Sequence, residues 1–298
     1  MDKIIVIFAV CLTGFAAPAQ THTEKISREL AFEKKSAANT LMIFNINGDV
    51  VVTGHTGDKV IVEVEKVVSG KTEARLEKGK QEIQLGVVDR ADSLFLYVQG
   101  VCSEFGRLRR KENWQRKWNG WGYNWSDCNA RDCDKEYDYQ MNFTVKVPAG
   151  VHVFASTVND GDVEVSNTTG TVLADNVNGS IRLKNISGAT HASTINGDVD
   201  LDYTRNPTTD CRYYSLNGDI NAYFVKGLAA QVSFDSFNGD FYTNVDELEN
   251  MPVAMEKKTT DKGVKFKISG SRYKVGSGGA MLLDFETFNG NVYLKEKK

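Results

Sequence analysis

Hydrophobic and polar residues alternate around short glycine-centred triplets that recur along most of the chain. An apolar residue such as Ile195 stands ahead of a triplet, and apolar residues follow it at alternate positions, as Val199 and Leu201 do. The triplet glycines of the central block stand at positions 161, 179, 197, 218 and 239, so their intervals are 18, 18, 21 and 21. The triplets are Asn47-Gly48-Asp49, Asp160-Gly161-Asp162, Asn178-Gly179-Ser180, Asn196-Gly197-Asp198, Asn217-Gly218-Asp219, Asn238-Gly239-Asp240 and Asn289-Gly290-Asn291.

A period of two indicates β-strands that bury one face. An Asn-Gly pair between two such runs is typical of a hairpin turn. Here the same triplet returns in the same apolar phase, which favours a chain that climbs one strand spacing of about 4.8 Å with each coil. We therefore predict an all-β fold: a single-stranded parallel β-helix, or β-solenoid, with coils of roughly 18 to 21 residues. The predicted turn glycines are Gly48, Gly161, Gly170, Gly179, Gly188, Gly197, Gly218, Gly239 and Gly290.

The pattern is less regular at both ends of this block. Asn159 occupies an apolar position ahead of its triplet, which predicts a bulge or an atypical first turn. Residues 39–68 and 83–98 read as further strands, and Thr72 to Glu82 as a short charged helix or a polar loop. Val264 to Ser269 and Met281 to Leu294 are predicted to close the far end. The predicted organisation is one domain over 20–298, with an irregular Trp-rich insertion at about 101–140.

The start of the chain, residues 1–19, is typical of a secretory signal peptide. Lys3 precedes the apolar run from Ile4 to Leu12, and Ala17-Pro18-Ala19 supplies small residues at the expected cleavage site after Ala19. The run is shorter than the roughly 20 apolar residues that span a bilayer, so no transmembrane helix is predicted. We expect an exported protein, located in the periplasm, on the outer-membrane surface or outside the cell.

Composition excludes several classes of protein. Of 298 residues, 41% are hydrophobic, and 36 basic side chains oppose 39 acidic ones for a net charge of -3. This balance argues against a disordered chain and against nucleic-acid binding through overall basicity. The 26 Gly and 22 Asn residues against 4 Pro indicate turns made by Asn and Gly.

Export would permit disulfide bonds. Four cysteines follow the signal segment and allow three pairings, among which the sequence does not choose; at least one bridge within 102–133 is favoured. A metal site at the Cys128 and Cys133 pair lacks nearby histidines, so no metal and no cofactor are predicted. The disulfide candidates are Cys102, Cys128, Cys133 and Cys211.

Together these features resemble the bacterial "putative adhesin" family of β-strand repeats, a domain family of undefined function. The resemblance rests on the export signal, Val147-Pro148-Ala149-Gly150 ahead of the repeats, the Gly-Asp turns from Gly161 onward, and the closing Thr287 to Val292 segment. It covers most of 39–298 and implies a parallel β-helix outside the cytoplasm. It implies no particular ligand or activity, and 101–140 does not share the pattern.

Two sets of carboxylates suggest chemistry. The triplet aspartates recur once per coil, too sparsely for the calcium-binding repeats that need Gly-Gly-x-Gly-x-Asp, so the favoured interpretation is that each caps its own turn. Asp175, Asp198, Asp200 and Asp202 come nearest to a catalytic carboxylate cluster, but charged residues that alternate with apolar ones are typical of a solvated strand face.

The insertion concentrates aromatic residues between a basic and an acidic stretch. Aromatic faces stack on sugars or cations and anchor interfaces, so these side chains are candidate ligand-binding residues. A structural cap folded back over the solenoid, stapled by a disulfide, explains the same composition, and contact with an anionic membrane surface is a third interpretation. The aromatic residues concerned are Trp114, Trp118, Trp121, Tyr123 and Trp125.

The sequence therefore predicts a non-enzymatic, adhesin-like binding or scaffolding protein of the bacterial cell envelope. Its expected partners are a glycan or a cell-surface protein. The alternative is a carbohydrate-active β-helix enzyme, a polysaccharide lyase or hydrolase, because such folds bring carboxylates together from separate strands.

Overall fold

Two large β-sheets and one short helix make up the described part of the chain. The computed structural model describes residues 19–100, 104–105, 123–124, 136–252, 255–260, 263–268 and 270–298; for 104–105, 123–124, 255–260 and 263–268 it describes the backbone alone. Elements are numbered along the chain. A helix, α1 (Glu73–Glu82), forms where the sequence predicts a short charged helix or a polar loop. The Thr72 side chain caps it by accepting a hydrogen bond from the Arg75 amide.

Sheet A has ten strands, and we list them in chain order. They are β1 (Gln20–Leu30), β3 (Val50–His55), β4 (Val60–Gly70), β9 (Tyr137–Pro148), β11 (Val163–Ser166), β13 (Ile181–Ile186), β15 (Val199–Tyr203), β17 (Ile220–Phe224), β19 (Phe241–Thr243) and β25 (Val292–Glu296). Their order in space is β1-β4-β9-β3-β11-β13-β15-β17-β25-β19.

Sheet B has eleven strands and runs alongside. They are β2 (Thr40–Phe44), β5 (Gln84–Asp89), β6 (Ser93–Gln99), β10 (His152–Ser156), β12 (Val172–Asp175), β14 (Thr190–Asn196), β16 (Cys211–Asn217), β18 (Ala230–Asn238), β20 (Leu248–Asn250), β23 (Ser271–Val275) and β24 (Leu282–Asn289). Their order in space is β20-β23-β18-β24-β16-β14-β12-β10-β2-β6-β5. Two separate hairpins are β7 (Glu104–Phe105) with β8 (Tyr123–Asn124), and β21 (Met255–Thr260) with β22 (Gly263–Ile268).

The two sheets are joined by the triplets. A strand of sheet B ends at or near a triplet, the chain turns a corner there, and a strand of sheet A begins; we call each such strand pair a layer. Within each sheet, neighbouring layers pair in parallel, as Val163 with Ile181 and Ile181 with Val199. Neighbouring layers thus pair in parallel rather than as hairpins, and the arrangement is consistent with a toastrack-like β-solenoid.

The core lies between the sheets, where equivalent apolar residues stack from layer to layer. In sheet A one column begins with Val50, Val163, Ile181 and Val199, all fully buried. The matching wall of sheet B contains Tyr213 and Phe285, whose rings lie 4.9 Å apart. Alternation along each strand thus buries one face between the sheets, as the period of two predicts.

The order of layers departs from the order of the sequence at both ends. Strands β2 and β3 pair directly with β10 and β11, so the layer next to the first on this side begins only at His152 in the sequence. The predicted closing segment Met281 to Leu294 is not terminal, because its strands β24 and β25 lie between β16–β17 and β18–β19. The predicted closing strand at Val264 to Ser269 instead forms the hairpin β21–β22, outside both sheets.

The last residues of the segment predicted as an insertion form part of a strand. Residues 137–140 belong to β9, which pairs in parallel with β3 and antiparallel with β4 and so extends sheet A. Antiparallel β1 then covers β4, and α1 packs against β4, β9 and β1. This end of sheet A is therefore finished by long strands and a helix. No helix in the described ranges is long and apolar enough to cross a membrane.

Candidate functional site

The triplet corner forms a continuous ladder of asparagine side chains along the stack. Each amide Nδ2 donates to the Oδ1 of the asparagine in the preceding layer, at 2.8 Å from Asn178 to Asn159 and from Asn196 to Asn178. The ladder runs through layers that are distant in sequence, because Asn289 donates to Asn217 at 2.8 Å and Asn238 to Asn289 at 2.9 Å. Its members, in spatial order, are Asn47, Asn159, Asn178, Asn196, Asn217, Asn289 and Asn238.

The irregular triplet joins the same ladder. Asn159 pairs with Asn47 on one side and Asn178 on the other, and the additional residue Asp160 takes a positive φ of 56° between Asn159 and Gly161. The bulge predicted here is therefore one left-handed residue that keeps the asparagine in line.

The corner glycines are required by close approach rather than by backbone conformation. Of the nine predicted turn glycines, Gly48 alone has a positive φ. A Cβ on Gly197 would lie 2.2 Å from the carbonyl oxygen of Gly179, and one on Gly290 would lie 2.0 Å from that of Gly218. The midpoint residue Gly188 meets the carbonyl oxygen of Gly170 at 2.0 Å in the same way. Layers can approach to strand spacing because these positions carry no side chain.

Buried hydroxyl and amide groups hold the carbonyls of this corner from inside. Thr194 Oγ1 donates to Gly179 O and Ser215 Oγ donates to Gly197 O, each at 2.8 Å. Sequence reasoning missed these residues, although a signal exists: the residue two positions before each ladder asparagine is always Asn, Ser or Thr. The set is Asn45, Thr157, Asn176, Thr194, Ser215, Thr287 and Ser236.

The triplet aspartates form a second ladder, between layers. Asp49 Oδ1 accepts from the Asp162 amide at 2.9 Å, and Asp198 Oδ1 accepts from the Asp219 amide at 2.9 Å. Asp49, Asp162, Asp198 and Asp219 therefore cap the backbone of the next layer and not their own turns, which corrects the favoured interpretation. Among the described residues there is no group of three or more His, Cys, Asp or Glu side chains arranged to hold a metal ion.

We expect Asp198→Asn to leave thermal stability nearly unchanged, because the amide keeps an Oδ1 acceptor for the Asp219 N–H. Asp198→Ala removes the acceptor and should cost about 1 kcal/mol. Thermal melts of wild type with millimolar calcium and with chelator should coincide, since only a bound ligand raises stability. A calcium-dependent rise in the melting temperature that Asp198→Asn abolishes would contradict the ladder and restore a calcium site.

The carboxylates named as a catalytic candidate do not converge. Asp175 lies on β12 in sheet B, whereas Asp200 and Asp202 lie on β15 in sheet A. Asp200 accepts from Asn221 Nδ2 at 2.9 Å, and Asp202 forms an ion pair with Lys297. These groups serve as outward polar contacts between layers of sheet A, in line with the solvated-face interpretation.

Asp175 differs from the others because burial raises its pKa to about 6. A carboxyl that binds its proton more tightly when folded stabilises the protein at low pH, and that stability is lost as the pH rises through about 6. The difference between this pKa and the ordinary value of 3.8 corresponds to a loss of at most about 3 kcal/mol in the free energy of unfolding between low and high pH.

Asp175→Asn should therefore raise the free energy of unfolding at pH 7.5 by about 1–2 kcal/mol and leave it unchanged near pH 4. Urea denaturation at both pH values measures the difference. Asp202→Asn is the control, because it lies on an outward ion pair and should gain nothing at the higher pH. Equal effects of Asp175→Asn at both pH values would contradict the prediction.

The apolar residues just before the ladder asparagines lie outside the main core, unlike those that follow each triplet. Ile46 alone among them is buried, in a separate cluster. These residues flank the asparagine ladder on the outside of the corner, and we call them the outer stripe. Phe237 and Phe288 are 73% and 44% exposed, and their rings stack in parallel with centroids 4.8 Å apart. In spatial order the stripe consists of Ile46, Val158, Val177, Ile195, Leu216, Phe288 and Phe237.

A second aromatic row lies on the outer face of sheet A, near the same end of the stack. Tyr242 stacks on Tyr293 with centroids 5.0 Å apart, and the Lys295 ammonium lies 5.1 Å from the Tyr293 ring centroid. Exposed aromatic rings beside amide and carboxylate groups are typical of a surface that binds a partner. We treat the outer stripe, the asparagine ladder and the aspartate ladder as the candidate site.

The predicted aromatic ligand residues Trp114, Trp118, Trp121 and Trp125 lie outside the described residues. Tyr123 belongs to β8, of which the backbone alone is described. Three disulfide candidates, Cys102, Cys128 and Cys133, also lie outside the described residues.

Cys211 is a free, buried thiol, so it is not a bridge partner in the structure. Its Sγ accepts from the Thr190 amide at 3.4 Å and donates to Thr209 O at 3.4 Å. The buried Tyr203 and Tyr213 hydroxyls lie 2.7 Å apart beside it. Burial raises the pKa of both tyrosines well above the ordinary value.

Comparison with known proteins gives a family match over part of the chain. The family described as Toastrack DUF4097 matches residues 140–275, which contain most of the regular layers. No curated protein matches the sequence significantly.

Two solved structures resemble the chain over most of its length. A putative cell adhesion protein from Clostridium sporogenes has 11% identity and a TM-score of 0.42, and the match covers 93% of this chain and 100% of that one. A putative adhesin from Bacteroides fragilis has 13% identity and a TM-score of 0.36, with 92% and 97% covered. Because both scores are below 0.5, what those proteins do is not transferred to this chain.

Proposed function

We propose that the chain is a non-enzymatic binding or scaffolding protein of the bacterial cell envelope. The observation that carries the proposal is the outer corner, where two hydrogen-bonded side-chain ladders and a stripe of apolar residues run side by side. Fixed ladders leave little side-chain entropy to be lost when a partner binds, which favours recognition by a rigid surface. The predicted secretory signal over residues 1–19 supports export. In the proposed solenoid each coil has roughly 18 to 21 residues.

The test is to incubate the purified chain with a panel of bacterial and host polysaccharides and with isolated envelope fractions. Saturable binding without product supports the proposal. Formation of shortened or unsaturated sugar products would overturn it in favour of a carbohydrate-active enzyme. Fractionation of the producing cells, with sequencing of the mature N-terminus, checks export, for which Gln20 is the expected first residue.

The Trp-rich segment has two proposed roles, a ligand contact or a structural cap. The cap role is supported by the face of sheet B that points away from the main core, where Phe44, Ile46, Phe95 and Phe154 form a separate buried cluster. Variants of the segment separate the roles. If Trp118→Ala and Trp121→Ala unfold the protein, the residues cap it; if both variants stay folded and lose binding, they contact the ligand.

A further inference from the structure

All the side-chain ladders of the outer corner end at one stretch of backbone. Phe237 ends the outer stripe, Asn238 ends the asparagine ladder, Asp240 ends the aspartate ladder and Tyr242 ends the tyrosine pair. All four belong to residues 235–243, the end of β18, the corner and β19. We call this stretch the open edge.

The terminal polar atoms of the open edge lack the partners that equivalent atoms have inside the stack. Asp219 Oδ1 accepts from the Asn291 amide at 2.7 Å, and Asn291 Oδ1 accepts from the Asp240 amide at 3.0 Å. Among the described residues, no donor is found for Asn238 Oδ1 or Asp240 Oδ1. One further layer of the same kind would supply both donors.

In the part of the chain that the structure describes, the backbone of the open edge is also unpaired on its outer side. Strand β18 pairs with β23 through Ala230 to Phe234 and no further, and within the described ranges β19 pairs with β25 alone. The edge is exposed at the same time, because Phe237 is 73% and Tyr242 46% accessible. Free strand edges with exposed apolar side chains are sites where another extended segment adds to a sheet.

The fold itself contains a layer recruited from a distant part of the chain. Strands β24 and β25 stack between layers to which they are not adjacent in sequence, using the contacts of the other layers. Phe288 stacks on Phe237, Asn289 enters the asparagine ladder and Asn291 enters the aspartate ladder. A segment with this pattern can therefore stack at the corner even when it does not follow the neighbouring layer in the sequence.

We propose that the open edge binds an extended segment of a partner protein as an added parallel strand, with preference for an aromatic-Asn-Gly-Asn or aromatic-Asn-Gly-Asp pattern. A polypeptide strand satisfies the backbone edge, both terminal oxygens and the Phe237 ring together. A sugar could stack on the ring and donate its hydroxyls to the two oxygens, but it would not continue the parallel strand ladder. The inference rests on the proposed function, because it names the partner class of the binding protein.

Fluorescence anisotropy with a labelled peptide copying residues 284–296 tests the proposal on the purified chain. We expect saturable binding, and at least about tenfold weaker binding of a peptide in which residues 288–291 are scrambled. Phe237→Ser should weaken binding of the native peptide by about the same factor. Because Phe237 is largely exposed, this variant should melt like wild type.

Val87→Ser is the matched control. Val87 is an exposed apolar residue on β5, at the opposite end of sheet B, and its replacement should leave peptide binding unchanged. No binding to wild type, equal binding of the scrambled peptide, or full binding to Phe237→Ser would each overturn the proposal. Polysaccharide binding that Phe237→Ser abolishes, without peptide binding, would overturn it in favour of a glycan and leave the proposed function standing.

Discussion

Gly197→Ala is expected to destabilise the protein by at least about 3 kcal/mol, an effect in the range of severe overpacking. The added Cβ would lie 2.2 Å from the oxygen and 2.5 Å from the carbon of the Gly179 carbonyl, so no side-chain rotation relieves the clash. Relief requires the two layers to separate, which stretches the 2.8 Å hydrogen bond from the Asn196 amide to Val177 O. Urea denaturation followed by circular dichroism measures the loss.

Gly150→Ala is the matched control for this prediction. A Cβ at Gly150 meets a single atom within 4 Å, Thr169 Oγ1 at 4.0 Å, and the residue has no positive φ. Because alanine restricts the backbone of the unfolded chain, this variant should be as stable as wild type or more stable by roughly a few tenths of a kcal/mol. If both variants unfold at the same urea concentration, close packing of corner glycines does not hold the layers together.

The sequence was sufficient to predict the layers because their signal is local. An apolar alternation around each triplet specifies which face of a strand is buried, and the recurring triplets mark where each layer turns. The alignment of the ladder asparagines is a consequence of the repeated triplet. The shared chemistry of the position two before each asparagine was equally visible, yet Thr194 and Ser215 were overlooked because single Ser and Thr residues in strands carry little signal until the layers are aligned.

Facing and order were harder to predict for physical reasons. An alternating pattern assigns a face only while the strand stays regular, and the backbone turns at the corner. Alternation within β24 places Phe288 outward, because Leu283 and Phe285 are buried. Alternation continued across the triplet from Val292 would instead place Phe288 inward. The order of layers is a matter of long-range pairing. Nothing local distinguishes a C-terminal strand pair that closes the stack from one that inserts into it, because both present the same edges.

The inserted position of the C-terminal layer predicts unequal roles for two aligned phenylalanines. Phe285 on β24 and Phe234 on β18 are paired neighbours in sheet B. Phe285 is fully buried and packs on Tyr213, whereas Phe234 is half-buried and packs on Phe241 with ring centroids 5.6 Å apart. Phe285→Ala should cost about 4 kcal/mol and Phe234→Ala about half as much, because a cavity between layers collapses less readily than one at the end.

Stacking in the order of the sequence would reverse this result, since Phe234 would then lie inside the stack and Phe285 at its end. Urea denaturation of both variants decides between the two orders, and Phe234→Ala costing as much as Phe285→Ala would contradict the inserted layer. Amide hydrogen exchange gives an independent measurement. Amides of β24 should exchange as slowly as those of β16, and amides of residues 235–243 should exchange faster than both, because the strand edge that they form is paired on one side only.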